Sequence, residues 1–233
     1  MTFLAAHAVP PEYIGDQGAY VDEVISWCPE AAAAGARHCD VFCDEGYFTV
    51  EESRRLLLAA RLAGLLPRLH ADELARTGGA QLAAEIGASS ADHLLRITAE
   101  DARALADAGV VATLAPVTAL SIGTLPPVAA LQAAGATVAL ATDHNPGTCG
   151  TTSMSLVVAL AVTGLGMSVD AALSAATLGG AASLRLGDRG RVEPGLLADL
   201  VVWDADHEGA FAWSFGLTPA QIWLGGSKVA VNQ

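Results

Sequence analysis

Val138-Ala139-Leu140-Ala141-Thr142-Asp143-His144-Asn145-Pro146-Gly147-Thr148 is an apolar run of strand character that stops at a carboxylate and passes at once into a turn-forming segment. In parallel α/β architectures the carboxyl ends of strands are where ligands bind and chemistry sits. Three upstream runs end in the same way, each on a histidine: Leu4-Ala5-Ala6-His7, Arg68-Leu69-His70 and Ser90-Ala91-Asp92-His93. Four polar endings on separate strands read as one site assembled from several loops.

Working outward, the chain alternates strand and helix. Strands are expected at Thr2–Val9, His38–Cys43, Leu66–His70, Ser90–Leu94, Val110–Leu114 and Thr137–Thr142. Between them lie helical patterns: Tyr20–Ala34, a helix capped by Thr49 with Glu52 completing a capping box, Gly78–Ile86, a second box on Thr98 and Asp101 opening Thr98–Ala108, and Pro127–Ala134. Further helices follow at Ser153–Thr163 and Ser168–Leu178. Six strands alternating with helices imply right-handed βαβ units in a parallel sheet or barrel. Beyond them the character changes. Gly190–Gly195 is turn-rich, Ala198–Trp203 reads as an isolated strand, and Gln221–Val231 as a hairpin around Gly225-Gly226. A boundary is therefore expected between residues 1–188 and a small β tail, 189–233.

With 233 residues and 52% hydrophobic content, the chain can bury a substantial core and is not intrinsically disordered. A net charge of -13 argues against nucleic acid or an anionic membrane as partner. Cys28, Cys39, Cys43 and Cys149 form no CxxC pair and read as reduced, packed thiols of a cytoplasmic protein. The first residues lack a basic region and an apolar segment of signal-peptide type. Ala108 to Thr142 contains no charged side chain, but its prolines and glycines break it into pieces too short to cross a bilayer. No membrane segment is expected.

His70 and Asp143 are ligand types suited to one divalent ion, Zn2+ or Fe2+, held by N and O donors. An ion there would lower the pKa of a water and polarise a carbonyl or amidine. Glu73, in the loop after His70, would orient substrate or shuttle a proton. His38 and His207 read as ordinary structural or surface histidines, and His144 cannot share the direction of Asp143 if strand geometry persists. Asn145, Gly147 and Thr148 read either as plain turn residues or as a cradle for a substrate carboxylate. Gly78-Gly79 is a weak phosphate-loop signal, and no GxGxxG or Walker pattern is present.

The motifs Thr-Phe-Leu-x-Ala-His-Ala-Val-Pro-Pro-Glu-Tyr (2–13), Asp-Val-Phe-Cys (40–43), Leu-His-Ala-Asp-Glu (69–73), Ser-Ala-Asp-His-Leu (90–94) and Ala-Thr-Asp-x-Asn-Pro-Gly-Thr (141–148) together resemble the imidazolonepropionase family of the amidohydrolase superfamily. Gly195–Val202 is similar to the superfamily's ending. The resemblance implies metal-dependent hydrolysis of the ring of 4-imidazolone-5-propanoate to N-formimidoyl-L-glutamate, in histidine degradation. It implies His70 and Asp143 as metal ligands, with Asp143 also in the catalytic set. It implies His7, Glu73, Asn145, Gly147 and Thr148 as substrate contacts, and Glu73 and His93 as catalytic groups, His93 positioning water or stabilising developing charge.

The family also carries a His-x-His pair on its first barrel strand, and an Arg and a Tyr that contact substrate. The 233 residues contain no His-x-His. The expected architecture is therefore a partial TIM-like barrel of the amidohydrolase type, about six of eight strands, with a C-terminal remnant of a small β-sandwich. Such a chain is expected to be inactive or impaired alone. Its expected partners are the small-molecule substrate and either a second copy or a complementary N-terminal chain. The alternatives are another cyclic amidohydrolase or aminohydrolase, and a non-catalytic assembly partner.

Overall fold

The computed structural model describes residues 1–230. Six strands are hydrogen-bonded in chain order: β1 (Thr2–Ala6), β2 (His38–Cys43), β3 (Leu66–Ala71), β4 (Ser90–His93), β5 (Val111–Leu114) and β6 (Val138–Leu140). A second sheet of β7 (Leu200–Trp203), β8 (Pro219–Leu224) and β9 (Ser227–Val229) is antiparallel. The expected α/β class with a small β tail is therefore what the chain adopts. By compactness it divides into two units, one of Met1–Ala112 with Ala129–Thr137, the other of Thr113–Val128 with the chain from Val138 onward.

In the first unit β1 to β4 pair in parallel. Every residue of β2 is buried, as a strand covered on both faces requires. Helices α1 (Gln17–Ala33) and α2 (Val50–Leu62) pack against each other, and α3 (Gly79–Glu85) against α4 (Ala99–Asp107). Both expected capping boxes are formed: Thr49 and Glu52 satisfy each other's backbone amides at the start of α2, as do Thr98 and Asp101 at α4. Helix α1 starts earlier than expected because Asp16 caps it, accepting from the Ala19 amide. Strand β1 stops at Ala6, so His7 belongs to the turn that follows.

In the second unit, α5 (Pro116–Ile122) occupies a stretch read from sequence as loop. Its punctuation was present: proline at the first turn and a left-handed Gly123 at the end, φ +78. The short α6 (Val128–Ala133) that follows belongs, from Ala129 on, to the first unit. Strand β6 is shorter than expected, ending at Leu140 rather than at Thr142. Helix α7 (Met154–Thr163), capped by Ser153, packs against α5, α8 (Val169–Ser174) and the short turn Glu208–Ala212. A π turn, Ala175–Gly179, carries α8 into α9 (Gly180–Ser183), so this helix runs past the expected end at Leu178. The β8–β9 hairpin turns on Gly225 and Gly226, both at positive φ. Val231, expected to close that hairpin, lies outside the described residues.

Candidate active site

Strand alternation and register build the first half of the site. Asp40 and Phe42 share a face of β2, Arg68 and His70 a face of β3, and Ser90 and Asp92 a face of β4. The parallel register sets Asp40 level with Arg68, and Phe42 level with His70, itself level with Asp92. His70 Nδ1 therefore lies 3.1 Å from Asp40 Oδ1. Arg68 Nη2 lies 3.1 Å from Asp92 Oδ2, and Arg68 Nε 3.9 Å from Asp40 Oδ2. Ligand-type atoms of Asp40, His70 and Asp92 all fall within 4.8 Å of one another.

Electrostatics follow from that packing. Burial disfavours the His70 cation, but Asp40 beside it, helped by Asp92 and Glu73, more than reverses this and holds the ring's pKa up at about 9. Burial likewise opposes the Asp40 charge, yet His70 and Arg68 keep this carboxyl below the usual carboxylate range.

Four of the residues singled out by sequence meet here. The His70 ring is 5.5 Å from that of His7 and 5.0 Å from that of His93, centroid to centroid. His93 Nδ1 is 3.6 Å from Glu73 Oε1. His93 ends β4 at φ +74, where strand alternation has given way, and this turn brings its ring toward His70. Phe42 and Tyr47, stacked at 3.8 Å, form an apolar wall beside His7.

Two further carboxylates shape the Glu73 loop. Asp44 accepts the backbone amides of Glu45, Glu73, Leu74 and Ala75. Asp72, buried at φ +51, accepts those of Thr77, Gly78 and Ala80. Gly79, from the weak phosphate-loop signal, serves packing instead: a Cβ there would stand 2.9 Å from Ala71 Cβ and 3.0 Å from Ala71 Cα.

In the second unit, Asp143 sits at φ +53, three residues beyond the end of β6, and its Oδ2 accepts the Thr118 hydroxyl at 2.6 Å. Asn145 organises the loop after it. Its amide nitrogen donates to the Asp143 carbonyl at 2.7 Å and to Thr148 Oγ1 at 3.0 Å. Its oxygen accepts the Gly147 and Thr148 amides, each at 2.8 Å. Ser121 clasps the Thr148 carbonyl. Asp143, Asn145, Gly147 and Thr148 are thus held together, and His144 between them is exposed.

No local sequence pattern marks Asp40, Arg68, Asp92, Asp44, Asp72 or Thr118 as part of the site. The first three carried a signal, since charges inside strands buried among apolar neighbours are costly unless paired. All four cysteines are buried free thiols, and among the described residues no helix is long and apolar enough to cross a membrane.

Two histidines predict a peaked pH–stability profile for the metal-free chain. Burial, together with the Arg68 and Arg37 cations, pushes His38 down to about 4, and its Nε2 has no hydrogen-bond partner. The folded chain then binds fewer protons than the unfolded one, so stability is lost as pH falls from about 6.5 to 4. His70 acts oppositely: its contribution is complete below about 6.5 and lost as pH rises through about 9. Each limb is worth roughly 3 kcal/mol. Urea midpoints measured across this range should peak between the limbs. His38→Gln should flatten the acid limb, and an unchanged acid limb in that variant would count against the assignment.

The model of a family described as "Amidohydrolase family" matches residues 68–229. The chain is 45% identical over 231 residues to the imidazolonepropionase of Streptomyces griseus, covering 98% of this chain and 59% of that protein. It is 49% identical over 243 residues to that of Halobacterium salinarum, covering 99% and 57%. The chain thus spans a little over half the length of these curated relatives. Among solved structures it resembles an adenosine deaminase from Xanthomonas campestris with bound zinc (TM-score 0.72, 20% identity, 90% of this chain and 55% of that one). It also resembles an amidohydrolase from a Sargasso Sea environmental sample (TM-score 0.74, 19% identity, 97% and 59%). At such identities these two likenesses speak to the fold alone.

Proposed function

We propose a function from one premise: this chain belongs to the amidohydrolase family, and its sequence resembles the C-terminal portion of imidazolonepropionases. The reading is hydrolysis of the imidazolone ring of 4-imidazolone-5-propanoate to N-formimidoyl-L-glutamate, in cytoplasmic histidine degradation. The observation that carries it is the convergence of His7, His70, His93 and Glu73 at the ends of neighbouring strands.

The donor chemistry suits a divalent ion, Zn2+ or Fe2+. Asp40 engages Nδ1 of His70, which directs Nε2 away from that carboxylate. Thr118 engages one oxygen of Asp143. We assign metal ligation to His70, near the end of β3, and to Asp143, in the turn after β6. When bound, such an ion acidifies a water and polarises the ring carbonyl.

The remaining work falls to side chains. Water adds to the ring carbonyl carbon, the carbonyl C–N bond breaks, and that nitrogen leaves with a proton. Glu73 would take the proton from the water and deliver it to the nitrogen. Its neighbour His93 would steady the charge that develops on the carbonyl oxygen or position the water. His7 would contact the ring, and Asn145, Gly147 and Thr148 the propionate arm.

Two of the four ligands of a tetrahedral site are in this chain, which lacks a His-x-His pair. We therefore assign it impaired turnover by itself and full turnover with a complementary N-terminal polypeptide, or within a dimer that supplies the same groups. Ring loss followed by ultraviolet absorbance tests this with metal added, alone and joined to the N-terminal part of a relative. Joined turnover should depend on metal and fall on the order of a hundredfold or more in Glu73→Gln. Turnover indifferent to metal and to Glu73 would overturn the reading.

A further inference from the structure

Asp40, His70 and Asp92 approach one another closely enough to suggest a cation site of their own. Arg68 argues otherwise. Its guanidinium lies 3.1 Å from Asp92 and 3.9 Å from Asp40, and all three side chains are largely buried, between 7% and 14% exposed. A divalent ion among these carboxylates would face a buried, permanently charged guanidinium at contact range, where repulsion is poorly screened.

We infer that Asp40 is a positioning residue that fixes the His70 ring with its proton on Nδ1, with Arg68, anchored by Asp92, as the counter-charge beside it. The geometry supports this at each link. Asp40 Oδ1 faces Nδ1 at 3.1 Å, so in the neutral ring Nδ1 is the donor and Nε2 keeps the lone pair that a metal needs. The parallel register places Asp40 beside Arg68 and His70 beside Asp92, so the four groups are fixed by strand pairing rather than by mobile loops. Two carboxylates against one guanidinium leave a net negative charge behind the ring, which makes its outward nitrogen a stronger donor. Asp92 takes most of Arg68, through contacts to both of its oxygens, at 3.1 and 3.5 Å. Arg68 Nε, buried and without a hydrogen bond, stays 3.9 Å from Asp40, leaving that carboxylate oriented toward His70.

The use of Nε2 as a metal donor rests on the proposed function, whereas the tautomer does not. Nitrogen-15 NMR of the full chain labelled at histidine, metal-free and at about pH 10.5 so that the ring is neutral, reads it directly. The expected spectrum assigns His70 as the Nδ1–H form; the Nε2–H form, which an unconstrained histidine side chain favours, would overturn the inference. A second arm uses Zn2+ alone in competition with a chelating dye. Asp40→Asn keeps the side chain's shape and should weaken zinc binding about tenfold to a hundredfold. Unchanged affinity would overturn the inference. His70→Ala separates the two ideas. Wild-type zinc affinity in that variant would remove His70 as a ligand, and with it that part of the proposed function, while leaving the tautomer result standing.

Discussion

Asp44→Ala is expected to cost about 4 kcal/mol of stability, because one buried carboxylate organises two loops at once. Its oxygens accept the amides of Glu45 and Glu73, both at 2.7 Å, of Leu74 at 2.9 Å and of Ala75 at 3.0 Å. Hydrogen bonds to a charged acceptor contribute roughly 1.5–3 kcal/mol each, less than additively when they share an oxygen. Alanine would leave buried donors without a partner and release the segment that presents Glu73. Asp44→Asn keeps the shape but turns an NH2 toward an amide donor, so about half the loss is expected. Thermal unfolding should show a fall on the order of 10 °C for alanine. Amide exchange at residues 73–75 should accelerate in both variants. A loss of under about 1 kcal/mol would show that the loop holds its form without this carboxylate.

The second large effect lies where the π turn crosses β6. A Cβ on Gly179 would stand 2.0 Å from the Val138 carbonyl oxygen, 2.9 Å from its carbon and 3.0 Å from Ala139 Cα. All three are backbone atoms of the strand that leads toward Asp143, so no flexible side chain can yield. Gly179→Ala is expected to cost more than about 3 kcal/mol, or to prevent folding. The adjacent Gly180 supplies the control. A Cβ there meets nothing within 4 Å, and its φ of -57 is helical. Gly180→Ala should be neutral or stabilising by up to about 1 kcal/mol through the unfolded chain. Equal behaviour of the two variants in denaturant would refute the close approach.

How far the sequence could be read is explained by the range of each interaction. Local signals were legible: the Thr49–Glu52 and Thr98–Asp101 boxes lie within one helical turn, and both are formed. Three of the four polar strand endings, His7, His70 and His93, come together with the Glu73 loop, because neighbouring parallel strands end at the same edge. Boundaries were less legible. The β-branched run 137–142 reads as one strand, but pairing ends at Leu140, and Asp143 takes a left-handed turn conformation that apolar periodicity does not encode. Pro116 reads as a breaker in sequence, yet it opens a helix. The supporting carboxylates were missed for a different reason. Asp40 faces His70 across a strand pair 30 residues apart in sequence, and Asp44 reaches Glu73 across 29. Only the register, which no local pattern reveals, brings them together.

Metal binding by the purified 233-residue chain tests the account most directly. Zn2+ or Fe2+ titrated into the metal-free protein should bind at one equivalent, and His70→Ala and Asp143→Ala should each weaken binding by about tenfold or more. Metal affinity left unchanged in both variants would contradict the assignment of this chain as part of a metal-dependent ring hydrolase.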